Sequence, residues 1–370
     1  MSKIKDIVQH LESIAPLAYQ ESYDNAGLIV GDANKNVNNV LITLDVTEEV
    51  IEEAISKNCE LIVAHHPIIF KGLKKLTGSN YVERTVIKAI KNDVAIYASH
   101  TNLDNIKNGV NAKIAEKLEL INTEILSPKN GTLGKLSVFV PKENANKVKT
   151  ALHHAGAGQI GEYKDCAFET VGKGSFLPSE KANPSIGEKG KLETVDEHKI
   201  EVIFPLHLKN KILSAMKKAH PYEEVAYYLH QLENTYDDLG SGMIGEIAEP
   251  MEAKDFFDYL KNKMDLSVIK HTKEINRKIK RVAICGGAGS FLISQAKNKQ
   301  ADIYISSDIK YHEFFDADER LIVADIGHYE SERFTNEIFY AILKENFANI
   351  ALHLGPVSYT HLTLPTKRIV

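Results

Sequence analysis

Short apolar runs alternate with amphipathic helical patterns at both ends of this chain, and that rhythm restricts the fold more than any other feature. VLITLDV (40–46) is followed by TEEVIEEAISKN, ELIVAHH (60–66) by YVERTVIKAIKND, and VAIYASH (94–100) by NGVNAKIAEKLEL. The rhythm returns in RVAICGG (281–287), ADIYISS (301–307) and RLIVADIG (320–327), with SFLISQAKN and one long helical stretch, SERFTNEIFYAILKENF, among them. Strands buried on both faces read as continuous apolar runs, and strand–helix alternation predicts βαβ units in an α/β sheet. The opening MSKIKDIVQHLESIAP spaces its apolar residues as an amphipathic helix does.

Between these halves the texture changes. GKLSVFVP, a helix from about Asn144 to Ala155, ETVGKGSFLP, HKIEVIFP, the helix LKNKILSAMKKAH and EVAYYLHQLEN follow one another, with a Gly/Lys/Pro-rich stretch at 178–191. The order strand, helix, strand, strand, helix, strand predicts a small ferredoxin-like α+β module. Asp237, Asp238, Gly240 and Gly242 read as its exit linker. The expected plan is one discontinuous α/β domain, residues 1–128 and 237–354, with the module 129–236 inserted. Residues 355–370, GPVSYTHLTLPTKRIV, continue no pattern and are read as a foreign tail. At 370 residues, 43% of them hydrophobic, the chain is long enough for two cores.

Charge and targeting signals narrow the function classes. Lys plus Arg total 45 and Asp plus Glu 50, a net charge of -5, which argues against general nucleic-acid binding. No apolar run approaches ~18 residues and the first residues lack a signal-peptide block, so a cytoplasmic protein with no membrane span is expected. Cys59, Cys166 and Cys285 stand far apart without a CxxC pair and read as ordinary buried thiols.

The chemistry gathers where the apolar runs stop. LIVA ends in His65-His66-Pro67, VAIYA in Ser99-His100-Thr101-Asn102-Leu103-Asp104, and LIVAD in Ile326-Gly327-His328, with Glu332 four residues on. VLITL ends in Asp45 and Thr47, and ADIYIS in Ser307-Asp308, with His312 just beyond. Ligands bind outside the carboxyl ends of strands in open α/β sheets. Imidazole and carboxylate without thiolate suit Zn, Mn, Fe or Ni. His328 and Glu332, one turn apart, share a helix face. Pro67 forces a turn after the histidine doublet, so both rings can reach one place. The candidate metal ligands are therefore His65, His66, Asp104, His328 and Glu332, with two divalent ions per chain if one carboxylate bridges. His100, Asp45 and His312 are the candidate proton carriers.

Other motifs weigh less. His153-His154 falls in a helix of the inserted module with no acid cluster beside it. His220-Pro221-Tyr222-Glu223-Glu224 reads as a structural corner. CGGAGSF (285–291) lacks both G-x-G-x-x-G and G-K-[ST], which favours tight strand–helix packing over a phosphate site. No nucleophile-elbow motif supports a triad through Ser99 or Ser290.

Taken in order, Glu21-Ser22-Tyr23-Asp24-Asn25-Ala26-Gly27-Leu28, Leu44-Asp45-Val46-Thr47, His65-His66-Pro67, His100-Thr101-Asn102-Leu103-Asp104 and Gly327-His328-Tyr329-Glu330-Ser331-Glu332 closely resemble the GTP cyclohydrolase 1 type 2 homolog family, the Nif-three-like dinuclear metal centre hexameric proteins. The inserted module resembles the PII-like or CutA-like domain of longer members. The resemblance implies a toroidal homohexamer with dinuclear sites facing an internal cavity. It also implies a bridging Glu332, with His66 and Asp104 on one metal and His65 and His328 on the other. The function it implies is a metal-dependent hydrolase acting on a nucleotide or related small molecule, by water attack at a purine C8 or by phosphoester hydrolysis. The alternative is a non-enzymatic metal-dependent ring with a binding or regulatory role.

Overall fold

The computed structural model describes residues 2–355; the reading of 355–370 as a foreign tail lies, Gly355 apart, outside the described residues. The chain forms two compact units. One joins both ends, up to Ser127 and from Asp238; the other is Pro128–Asp237.

In the first segment, strands β1 (Gly27–Val30), β2 (Asn39–Thr43), β3 (Leu61–Ala64), β4 (Ala95–Ala98) and β5 (Ile121–Asn130) alternate with helices α1 (Ile4–Ile14), α2 (Glu48–Ser56), α3 (Tyr81–Lys91), α4 (Thr101–Asp104) and α5 (Val110–Lys117). Local chemistry sets the helix ends. Thr47 caps α2 by accepting from Val50 N–H at 3.3 Å, with Glu48 and Glu49 in the first turn. Asn80 caps α3 in the same way, and Lys88 and Lys91 lie in its last turn. Each of these helices turns an apolar stripe inward, Val50, Ile51 and Ala54 in one case and Val86 and Ala89 in the other.

The inserted unit contains β6 (Leu133–Pro141), α6 (Ala145–His154), β7 (Phe168–Phe176), β8 (Glu193–Pro205), α7 (Lys209–Ala219) and β9 (Tyr227–Leu232). Its sheet runs β7-β8-β6-β9 with every pair antiparallel, which is the ferredoxin-like order. Leu136, Val138, Val140, Ile200, Val202 and Phe204 alternate along β6 and β8 and pack with Val148, Leu152, Ile212 and Met216 of the helices.

The chain then returns through β10 (Thr235–Met251), α8 (Ala253–Met264), β11 (Lys270–His271), β12 (Ile279–Ala288), α9 (Ile293–Asn298), β13 (Ile303–Ser307), β14 (Ile322–Asp325), α10 (His328–Glu332), α11 (Thr335–Asn346) and β15 (Ala351–Leu354). The larger unit holds two sheets where the sequence predicts one. The first has the order β1-β4-β3-β2-β15, in which β4, β3, β2 and β15 are parallel. The second is β11-β14-β13-β12-β10-β5, with β12, β13 and β14 parallel. The LIVA and AIYA strands and the IVAD strand are buried along their whole length, as continuous apolar runs require.

Two further expectations need correction. The Asp237–Gly242 stretch is not a linker but part of the long strand β10. Leu239 and Met243 are buried, Leu239 pairs with Ile106, and Gly242 stands at φ +66 where a Cβ would meet Ile284 O at 2.9 Å. The glycine there marks close approach of backbone rather than a flexible exit. The long C-terminal helix is broken into α10 and α11, with Ser331 Oγ bonding back to the His328 carbonyl at 2.7 Å. Among the described residues no helix is long and apolar enough to cross a membrane.

Candidate metal centre

The site is assembled from strand ends of both sheets in the larger unit. β3 delivers His65 and His66, whose N–H groups bond to the Leu44 carbonyl and so carry the turn past the end of the strand. β4 delivers His100 and, one helical turn later, Asp104. β14 delivers His328 and Glu332 on α10.

Every imidazole is held from behind. His65 Nδ1 donates to the Ser99 carbonyl at 2.9 Å, His66 Nδ1 to Asp45 at 2.8 Å, His100 Nδ1 to Asp24 at 2.8 Å and His328 Nδ1 to Asp308 at 2.7 Å. An oxygen behind each Nδ1 directs Nε2 to the centre and fixes the ring, the arrangement that histidine ligands of metals adopt. In the centre, Glu332 is buried and divides its oxygens. Oε2 lies 2.9 Å from His66 Nε2 and 3.1 Å from His328 Nε2, while Oε1 lies 3.8 Å from His65 Nε2. His65 Nε2 is 3.6 Å from Asp104 Oδ1, and both atoms are buried without a hydrogen-bond partner.

Two such donor atoms cost free energy unless something satisfies them. A cation does so, and three groupings of side chains bring their ligand atoms close enough to hold one: His65, Asp104 and Glu332; His66, His328 and Glu332; His65, His66 and His100. The donor set thus fits a resident metal of the imidazole–carboxylate class.

Electrostatics agree with that fit. Burial keeps the His65 imidazole below its ordinary pKa, hence neutral, the form that ligates. Burial opposes charge on His66 and His328 as well. The carboxylates outweigh it: Asp45 and Glu332 raise His66 to about 10, and Glu332 with Asp308 raises His328 to about 9. Glu332, despite its burial, is held well below the usual carboxylate range by its imidazole partners, whereas burial and the Glu332 charge push Asp104 well above it. The anionic centre therefore collects positive charge, and a bound cation would take the place of those protons.

A glycine pair at the end of β12 makes the approach of Glu332 possible. A Cβ on Gly286 would meet Val110 Cγ1 at 2.9 Å, and one on Gly287 would overlap Glu332 Oε1. Gly287 stands at φ +64, its N–H donates to Ser331 Oγ at 2.9 Å, and its carbonyl accepts from Ser306 Oγ at 3.1 Å and from Ser307. The CGGAGSF motif thus serves close packing of α10, as its spacing predicts. Over the centre opens a cavity of about 690 Å³, with Tyr23, Phe70 and Phe291 in its wall.

Of the eight residues singled out from the sequence, His65, His66, Asp104, His328, Glu332 and His100 meet here. Asp45 reaches the site as the acceptor behind His66. His312 does not take part: it is exposed on the 3-10 turn Tyr311–Ala317, its ring against Tyr311 and Phe315, and it is not in the cavity wall. The grouping of ligands also differs from the expected one, since His65 stands with Asp104 and His66 with His328. The expected pairing was one the resemblance implied, whereas the turn at Pro67 sends the two rings to opposite oxygens of Glu332.

Sequence reasoning missed Asp24 and Asp308 as partners. The Asp24 side chain is fully buried and accepts from His100 Nδ1, from Thr101 N–H at 3.0 Å and from the Thr101 hydroxyl. Its burial is outweighed by these bonds, which hold its carboxyl at about 2. The signal was present in the ESYDNAG motif, but nothing local said that it would meet HTNLD.

Fold and site together define a discontinuous α/β protein with a histidine–carboxylate pocket able to bind metal. Residues 2–360 match the family Duf34/NIF3 (NGG1p interacting factor 3). A Bacillus subtilis (strain 168) protein named GTP cyclohydrolase 1 type 2 homolog is 44% identical over 327 residues, 88% of each chain. A Staphylococcus aureus (strain COL) protein of the same name is 36% identical over 368 residues, 99% of this chain and 100% of the relative. The crystal structure of a Bacillus cereus protein related to NIF3 superposes with TM-score 0.85 at 38% identity, covering 98% of this chain and 99% of that one. The chain belongs to the Duf34/NIF3 family.

Proposed function

We propose that the chain is a hydrolase-like protein dependent on two divalent cations per subunit, acting on a nucleotide or related small molecule. The observation that carries this reading is the division of Glu332, whose two oxygens face two separate sets of donors. His65, Asp104 and Glu332 would hold one cation, and His66, His328 and the same Glu332 the other. Such a pair, when bound, supplies an activated water at neutral pH and an electrophilic contact to the substrate.

The remaining roles follow from the chain's own groups. Asp24 keeps the proton of His100 on Nδ1, which leaves Nε2 as the proton acceptor toward the cavity. Asp45 and Asp308 orient His66 and His328 rather than exchange protons with substrate. Tyr23, Phe70 and Phe291 offer ring faces to a planar substrate. The relatives' name, GTP cyclohydrolase 1 type 2 homolog, makes a guanine nucleotide the first substrate to try, with water attack at the purine C8 as the reaction proposed here. In this reading the chain assembles as a cytoplasmic homohexamer, the two outer segments build the metal centre, and the inserted unit plays the PII-like or CutA-like part.

The test begins with elemental analysis of protein purified without added metal, then a panel of nucleotides and phosphoesters offered with the metal found. Glu332→Ala and His65→Ala are expected to lose metal and turnover together. Turnover by a fully metal-free variant would end the reading. Tight ligand binding with no product from any member of the panel would transfer it to the non-enzymatic alternative.

A further inference from the structure

The inserted unit carries a cavity of its own, about 720 Å³, over the sheet face opposite its helices. That volume falls in the range of small-molecule sites, roughly 300–1,000 Å³. Its floor is opened by glycine. Gly172 pairs directly with Glu197 across β7 and β8, so the two share a face. The Glu197 carboxyl lies over Gly174, where a Cβ would overlap it, while a Cβ on Gly172 would meet nothing within 4 Å. The aromatic walls are Phe139 against Tyr228, at 5.5 Å between ring centroids, and Phe176 against Tyr222, at 5.8 Å. Residues 177–186 close over them.

A buried acid in this enclosure lacks a counter-ion. Glu197 is 8% exposed and makes no ion pair with any described residue; Lys199, on the same face, is engaged with Glu201 at 3.0 Å. The Tyr222 hydroxyl is buried beside that carboxyl, the polar group it faces in this enclosure, and bonds to no other described residue. The His220-Pro221-Tyr222 corner holds the ring in place: His220 Nε2 donates to the Phe139 carbonyl at 2.9 Å, and His220 Nδ1 accepts from Tyr222 N–H at 3.1 Å. The corner read from the sequence as structural therefore also positions a wall of this cavity.

A buried acid without a cation is unfavourable when ionised, and burial raises the Glu197 carboxyl above its ordinary range. A cationic guest removes that penalty, and ring faces attract it further. We propose that this cavity binds a small organic cation, an amine or amidinium on a flat apolar body, with Glu197 as counter-ion and the Tyr222 hydroxyl as second polar contact. The cavity shares no lining residue with the metal centre, and the proposal does not depend on the function proposed for that centre.

The test is calorimetric titration of the full-length, metal-loaded chain with benzamidine, a flat amidinium, and with benzamide, its neutral counterpart of the same shape. Benzamidine is expected to bind at least tenfold more tightly. Glu197→Gln is expected to reduce it to the benzamide level. Gly172→Leu, whose side chain would enter the cavity floor, is expected to abolish binding of both probes with circular dichroism and metal content unchanged; it carries the test if Glu197→Gln does not fold. Equal binding of the two probes, or benzamidine binding untouched by both variants, overturns the proposal. So does self-association through this face that Gly172→Leu disrupts and saturating benzamidine leaves intact, since the occupant is then a second copy of the chain.

Discussion

Gly287→Ala is expected to damage the metal centre without removing a ligand. A Cβ at this position would stand 2.3 Å from Glu332 Oε1, against 3.4 Å at ordinary contact, so the carboxylate has to retreat by about 1.1 Å (3.4 minus 2.3). Elsewhere a glutamate tip could swing aside. Here Glu332 is 2% exposed and tied to His66 at 2.9 Å and His328 at 3.1 Å. Ligand distances in metal sites hold to about 0.2 Å, so the displacement is roughly five times the tolerance. Loss of a well-placed supporting contact costs ~10–100-fold in metal affinity, and a similar loss, about 1.4–2.8 kcal/mol, is expected here. Alanine at φ +64 adds roughly 1–2 kcal/mol of backbone cost to folding. Competition against a chromophoric zinc chelator reads the first quantity and urea unfolding of the metal-free protein reads the second. Gly172→Ala, where a Cβ meets nothing, is the control and should change neither. Zinc affinity within twofold of the parent in Gly287→Ala would show that this glycine does not set the position of Glu332.

Asp24→Asn keeps all five proposed metal ligands but places an amide donor among the donors of His100 and Thr101, so metal stoichiometry should hold while stability falls by about 1–3 kcal/mol in urea titration. Glu83, 7% exposed, accepts from the Thr77 and Ser79 backbone and hydroxyls and from Asn80, bonds that hold its carboxyl at about 2. A depressed carboxyl stabilises the fold above its ordinary value of 4.5, and that contribution fades as pH falls toward about 2. Glu83→Gln should therefore lose less stability than the parent across that window, and parallel denaturation midpoints from pH 5 to pH 2 would refute the account. Leu136→Ala empties part of the inserted core and should cost roughly 2–5 kcal/mol in that unit, read by its own unfolding transition, with metal content unchanged.

The amino-acid order settled a good deal. Short continuous apolar runs such as LIVA and AIYA, alternating with amphipathic helical patterns, read as strands covered on both faces, so the α/β class was legible. The strand–helix order of 128–237 announced the ferredoxin-like unit, because period and sequence order together leave few topologies. The i, i+4 spacing of His328 and Glu332 and the turn forced by Pro67 placed imidazoles and acids at strand ends. What lay beyond the sequence depends on contacts between distant segments. The two sheets, the strand nature of 237–242, and Asp24 behind His100, 76 positions away, are set by packing that no local pattern encodes. The grouping of His65 with Asp104 and of His66 with His328 was likewise decided only when Glu332 arrived between them. A buried carboxylate has two oxygens and a fixed orientation, and which ring meets which oxygen is a property of three-dimensional approach rather than of order along the chain.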